Sequence, residues 1–109
     1  KKIKEITLQE EPSGFKHVYQ FYSILLRNST IRTKLMNFLA SKGIMTRVFF
    51  KPVHKTVFFS KIGYGSLSLP NTEKISTQIL ALPMFPTLRK EEINYIVDSI
   101  IKFFEHTNK

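Results

Sequence analysis

The sequence contains no cysteine. That excludes disulfide staples, thiolate metal sites and a cysteine nucleophile together, and it leans weakly toward a reducing compartment. Glycine is scarce as well. The four glycines, at positions 14, 43, 63 and 65, cluster only as Gly63-Tyr64-Gly65, which reads as a turn and not as a phosphate-cradling loop. No serine elbow is present. No apolar run reaches the ~18–20 residues that span a bilayer, and no charged-then-apolar leader opens the chain. The chain starts at Lys1 and not at a methionine, which leaves open whether it is trimmed or a piece of something longer.

Acids are absent from a long stretch. Seventeen Lys and Arg oppose eight Asp and Glu, a net charge of +9. No acid lies between Glu11 and Glu73, whereas residues 12–72 carry nine bases: Lys16, Arg27, Arg32, Lys34, Lys42, Arg47, Lys51, Lys55 and Lys61. The flanks hold eight bases and eight acids, which cancel. The whole excess therefore belongs to the middle segment, as a solvated face or as a surface turned toward an anion such as phosphate or nucleic acid.

Catalytic groups are correspondingly sparse. Glu5, Glu10 and Glu11 fall in the polar opening segment, and Glu91, Glu92, Asp98 and Glu105 fall on the last helix, mostly off its apolar stripe. No pair of carboxylates is spaced for acid–base work. His17, His54 and His106 lack metal-ligand spacing. His106 suits the C-terminal end of a helix dipole, and His17 opens a strand. His54 follows Pro52-Val53 at a strand end, where loops carry function. On these grounds the chain is not a self-contained enzyme.

What is present is a single domain of 109 residues, 42% of them hydrophobic. Residues 1–14 end in Glu10-Glu11-Pro12-Ser13-Gly14 and read as a linker or entry segment into a domain covering 15–109. His17 to Leu26 reads as a strand, central in its sheet. Asn28-Ser29-Thr30 offers helix caps, Ile31, Leu35, Phe38 and Leu39 follow with helical spacing, and Gly43 suits a left-handed stop. Ile44 to Phe50 reads as a second strand ended by Pro52. Val53 to Ser60 suits a short helix, and Ile62 to Ser68 a loop. Pro70 opens a further helix with Ile75 and Ile79 on its buried side, and Leu80 to Leu82 suits a short strand. A last helix capped at Thr87 carries a stripe of Ile93, Ile96, Val97, Ile100, Ile101 and Phe104.

Aromatics interleave with bases in Arg47-Val48-Phe49-Phe50-Lys51 and in Tyr19-Gln20-Phe21-Tyr22. On two neighbouring strands they would make an RNA-stacking sheet; on a central strand they are core.

The order of local motifs points elsewhere. His17-Val18-Tyr19-Gln20-Phe21-Tyr22, the run RTKLMNFLASKGIMT from Arg32 to Thr46, Phe49-Phe50-Lys51-Pro52-Val53-His54, Leu69-Pro70-Asn71-Thr72-Glu73-Lys74-Ile75-Ser76 and Leu80-Ala81-Leu82-Pro83-Met84-Phe85-Pro86 occur in that order. Together they resemble the C-terminal domain of the DegT/StrS-type sugar aminotransferases over roughly residues 14–105. Each motif alone is ordinary; the ordered set is specific.

The resemblance implies an α+β domain, with an antiparallel sheet of about three strands and helices packed on it, from a fold-type I aminotransferase. It implies a cytoplasmic homodimeric parent that uses pyridoxal phosphate to move an amino group onto a nucleotide-linked keto sugar. It makes His54 a residue near the sugar or cofactor, Arg47 and Lys51 diphosphate or interface contacts, and Phe49 and Phe50 flanks of the sugar. Because strand neighbours point oppositely, one of the two phenylalanines is expected to face the core. The Schiff-base lysine belongs to the family's large domain, so the chain alone is expected not to bind the cofactor productively. No residue is assigned a catalytic, cofactor-binding or metal-binding role. The alternative is a stand-alone module binding RNA or another polyanion, or a regulatory interaction module.

Overall fold

A computed structural model describes residues 3–107. At its centre lies strand β2, Tyr22–Leu26, flanked by β1, Ile6–Leu8, and β3, Ile79–Leu82, in the order β1-β2-β3. Both pairings are antiparallel, with Ile6 opposite Leu26 and Tyr22 opposite Leu82. Strand number and α+β class match the sequence reading, but the strands are not all the expected ones.

The strand read over 17–26 keeps only its second half. The His17 ring Nδ1 accepts the Tyr19 backbone N–H at 2.8 Å, the two rings stack at 3.9 Å, and Tyr19 has a φ of 45°. Such a local side-chain bond competes with a ladder, so residues 17–21 lead in as a turn. The strand read over 44–50 shrinks to one bridge, in which Arg47 and Ala81 exchange N–H to C=O bonds of 3.0 and 2.8 Å. In compensation, Ile6–Leu8 leaves the expected entry segment and forms the sheet edge. Three residues of alternation are too few to stand out in a sequence.

Helix α1, Ser29–Ser41, starts as expected: the Asn28 side chain accepts the Ile31 N–H at 2.9 Å. It stops at Gly43, whose φ is 75°. There the Gly43 N–H reaches the Ala40 C=O and the Ile44 N–H reaches the Leu39 C=O, the paired bonds of a Schellman end. The region read as one short helix over 53–60 is broken at Thr56, which is extended. A 3-10 turn, Val53–Lys55, precedes it, and the single turn α2, Val57–Phe59, follows, running on through Ser60–Tyr64. Helix α3, Pro70–Gln78, has proline in its first turn, where no N–H is missed.

Helix α4, Lys90–Thr107, begins after Arg89 and not at Thr87. The Arg89 C=O accepts the Ile93 N–H, and Glu92 reaches back to accept the Arg89 N–H at 2.8 Å. This is the return half of a capping box, and it outcompetes the threonine.

The core lies between one sheet face and helices α1 and α4. Alternation along β2 and β3 aims Ile24, Leu26 and Leu80 at Leu35, Leu39, Ile96, Ile100, Phe103 and Phe104. The buried stripe of α4 is therefore Ile96, Ser99, Ile100, Phe103 and Phe104. It is rotated from the expected one, and Ile93 and Val97 are exposed. The helix tolerates the inward Ser99 because its hydroxyl donates to the Tyr95 C=O at 2.7 Å. Ile75 is likewise exposed, not buried. Among the described residues no helix is long and apolar enough to cross a membrane.

Candidate functional site

The segment after Gly43, the loop after β3 and the first turns of α4 enclose a cavity of about 560 Å³. Phe21, Met45, Arg47, Phe49, Phe85 and Tyr95 are among its lining residues. The backbone bridge to Ala81 fixes Arg47 at its wall, and the Tyr95 hydroxyl, donating to the Lys42 C=O at 2.9 Å, ties α4 to the end of α1.

Phe49 is half-buried against Phe21, with ring centroids 4.6 Å apart, and Phe50 packs on Phe49 at 4.9 Å while remaining 69% exposed. Phe49 lines the cavity wall and is not in the main core, and since neither residue lies on a strand, strand alternation does not set their directions. The Arg47 guanidinium meets only the Met45 sulfur, at 3.9 Å, and has no carboxylate partner among the described residues. Glu92, also at the wall, is already engaged. The Arg89 backbone N–H first, and then the Arg89 guanidinium, hold its carboxyl below the usual range. The cavity thus offers aromatic faces and one free cation, a combination suited to a flat or apolar group carrying negative charge.

His54 sits elsewhere. It is only 5% exposed, and its ring Nε2 lies 2.9 Å from Glu73 Oε1 on α3. The same oxygen accepts the Leu69 N–H at 3.3 Å and lies 3.6 Å from Lys55 Nζ. Hydrogen bonding from His54 is the largest cause that holds the Glu73 carboxyl below its ordinary value, followed by the Leu69 N–H; Lys55 adds to it. A carboxylate so held is an acceptor, so His54 Nε2 carries a proton here. Lys55 continues the cluster by donating to the carbonyls of Gly65 and Leu67 at 3.0 and 3.2 Å. The histidine pins the 53–69 segment onto α3.

The five candidates therefore separate. Arg47 and Phe49 share the cavity wall with Phe50 beside them, Lys51 is exposed, and His54 is buried in another cluster. Phe85 and Tyr95, which the sequence did not single out, join the cavity wall, and Glu73 joins the His54 cluster. Phe21 stood in the aromatic run already noted, and Glu73 is the first acid after a long gap, placed just inside a helix start.

Pyridoxal phosphate needs a lysine to hold its aldehyde, an acid for its ring nitrogen and donors for its phosphate. Among the described residues no lysine lines the cavity. Asp98, the sole aspartate, is exposed on α4. Glu73 accepts the Leu69 N–H at the start of α3, the nearest thing to a phosphate cradle. The described residues do not make a site for that cofactor. Among the described residues no three His, Asp or Glu converge as metal ligands.

The model of the DegT/DnrJ/EryC1/StrS aminotransferase family matches residues 1–101. The chain belongs to that family. Among its relatives, a pleiotropic regulatory protein of Geobacillus stearothermophilus is 35% identical over 102 residues, covering 93% of this chain and 27% of the relative. The GDP-perosamine synthase of Escherichia coli O157:H7 is 34% identical over 99 residues, covering 91% and 26%. The crystal structure of NtdA from Bacillus subtilis, with bound cofactor PMP, superposes with a TM-score of 0.75 at 27% identity. That match covers 91% of this chain and 23% of NtdA. This DegT-family chain thus spans about a quarter of the length of the relatives it matches.

Proposed function

We propose that the chain is the C-terminal domain of a pyridoxal-phosphate-dependent aminotransferase acting on a nucleotide-linked keto sugar. In the parent it forms a wall of the substrate cleft and contributes to a homodimer in the cytoplasm. The observation that carries this reading is the cavity wall on which Arg47, without a carboxylate partner, stands beside Phe49, within a chain of the sugar aminotransferase family. There Arg47 would meet the substrate diphosphate and Phe49 and Phe50 would flank its sugar. Exposed Lys51 would lie along the diphosphate or the subunit interface. His54, which this reading places near the sugar or cofactor, would act through the segment that it and Glu73 hold.

The gene upstream of the Lys1 codon is expected to encode an aminotransferase large domain in frame. The encoded protein should aminate a nucleotide-linked keto sugar, and Arg47→Ala should raise KM for that substrate about tenfold or more, in line with losing a charged hydrogen bond. Unchanged kinetics would remove Arg47 from the cleft. The 109-residue chain alone should show neither a saturable shift in pyridoxal absorbance nor transamination; saturable stoichiometric binding would overturn that part.

The regulatory name of the Geobacillus relative favours one other reading, an interaction module. A saturable complex with a captured protein partner would favour it over the cleft-wall reading, whereas micromolar binding of single-stranded RNA, weakened steeply by salt and lost in Phe49→Ala, would favour a stand-alone RNA-binding module.

A further inference from the structure

Residues 17–21 lead into β2 and end in Phe21, which lines the cavity and meets Phe49 with ring centroids 4.6 Å apart. Among the described residues, two hydrogen bonds hold the backbone of this run, and both are made at His17. Its backbone N–H donates to Glu11 Oε2 at 2.7 Å, and its ring Nδ1 accepts the Tyr19 N–H at 2.8 Å. The second bond closes over a Tyr19 φ of 45°, a left-handed conformation that a bulky residue rarely adopts. No ladder can take its place. Continuing the pairing of Tyr22 with Leu82 sets residue 21 against Pro83, and continuing that of Ile24 with Leu8 sets residue 20 against Pro12. Neither proline has an N–H to give.

We propose that His17 is a positioning residue for the cavity wall and that its Nδ1 is the release. While Nδ1 is bare, the turn holds Phe21 on Phe49; a proton on Nδ1 frees Phe21 from the wall. An imidazole nitrogen accepts only when it is unprotonated, so the neutral ring carries its proton on Nε2. A second proton makes Nδ1 a donor, and two donors then face each other across 2.8 Å. Tyr19 loses the partner that held its backbone, and Phe21 follows it two residues on.

Histidine is the side chain that ordinarily changes charge between about pH 5 and 8. The groups that face His17 are Glu11, Lys16 on the same small hollow, and the Tyr19 ring stacked at 3.9 Å, with Tyr22 at 6.0 Å beyond it. Glu11 holds the His17 backbone N–H in either charge state of the ring, so the release acts at Tyr19 and not at the start of the run. The cavity keeps Arg47 and Phe49 but loses one aromatic face, and its hold on a flat group weakens in acid. The inference rests on the geometry of the turn and does not depend on the aminotransferase reading.

The test is NMR of the isotope-labelled 109-residue chain between about pH 8 and about pH 5, the range in which histidines ordinarily titrate. The ring C–H shifts of His17 report its protonation. At the upper end, a nitrogen–nitrogen coupling through the hydrogen bond should join Tyr19 to His17 Nδ1, and ring–ring NOEs should join Phe21 to Phe49. Both should disappear together as His17 takes up its proton, while the methyl signals of Leu35 and Leu39 in the core stay in place. His17→Asn keeps a side-chain oxygen that accepts the N–H two residues on without titrating, so its Phe21–Phe49 NOEs should persist to the lower end. His17→Ala should lack them throughout. NOEs that outlast the protonation of His17 overturn the proposal, as do NOEs that persist in His17→Ala or a ring that takes up no proton in this range. Loss in His17→Asn alongside the wild type overturns it too, because that variant retains His54 and Glu73 and the change would then belong to their cluster.

Discussion

Glu73 shows how one side chain can decide the state of a segment. Its carboxylate gathers a buried histidine, a backbone N–H and an ammonium on one oxygen, and its pKa in the fold lies below the ordinary value of 4.5. A carboxyl depressed by folding contributes stability that is present above the ordinary value and is lost as pH falls through the lowered one. Thermal melts of the wild type should therefore lose Tm below about pH 4.5, and Glu73→Gln should flatten that part of the profile while lowering Tm at neutral pH. An unchanged acid limb in the variant would show that other carboxyls set it. His54→Ala should lower Tm by several degrees at neutral pH and raise the exchange rates of amides across 56–69. Each end lies in a motif of its own, but nineteen residues separate them and nothing in either motif announces that the two side chains meet.

At the scale of elements, the two ends of α1 were legible, whereas the cap and buried face of α4 and the irregular backbone were not. Asn28 and Gly43 act locally, so their residue types announced the ends of α1. Urea unfolding of Asn28→Ala should show a loss of about 1 kcal/mol. Leu35 is wholly buried between α1 and the sheet, and Leu35→Ala should cost about 2–5 kcal/mol on the same measurement. A cost under 1 kcal/mol would mean that the core closes over the gap.

The aromatic run 17–21 misled because strand propensity is set by neighbours more than by the backbone; the His17 ring bond to Tyr19 gave that backbone another use. The 44–50 run misled similarly, since only Arg47 finds a partner across from β3. The buried arc of α4 turns toward Ser99 and Phe103, and Phe103 packs there against Phe38 of α1 with ring centroids 5.5 Å apart. As for the candidate site, Arg47 and Phe49, named from the sequence, both line the cavity. Phe85 and Tyr95 come from two other elements, and only the fold brings them to the same cavity.

The whole molecule is more open than its length requires. A close-packed chain of this size has a radius of gyration of about 13 Å, whereas the Cα value here is 16.0 Å, with extents of 47 × 37 × 25 Å. In the 53–69 segment Val57, Phe58, Ile62 and Tyr64 are all more than half exposed. Limited trypsin digestion should cut first at Lys61, ahead of sites in α1 and α4, because opening this segment uncovers little core. First cleavage inside α1 would contradict that order.

Lys55 gives the absence of cysteine a further meaning. Its ammonium reaches carbonyls ten and twelve residues ahead and so fastens a ring of backbone without a covalent bond. A disulfide across such a ring would restrict the unfolded chain as well; the ammonium restricts only the folded one. The fastening is thus reversible on the timescale of a side-chain rotation, indifferent to reductant, and erased by acetylation of a single nitrogen.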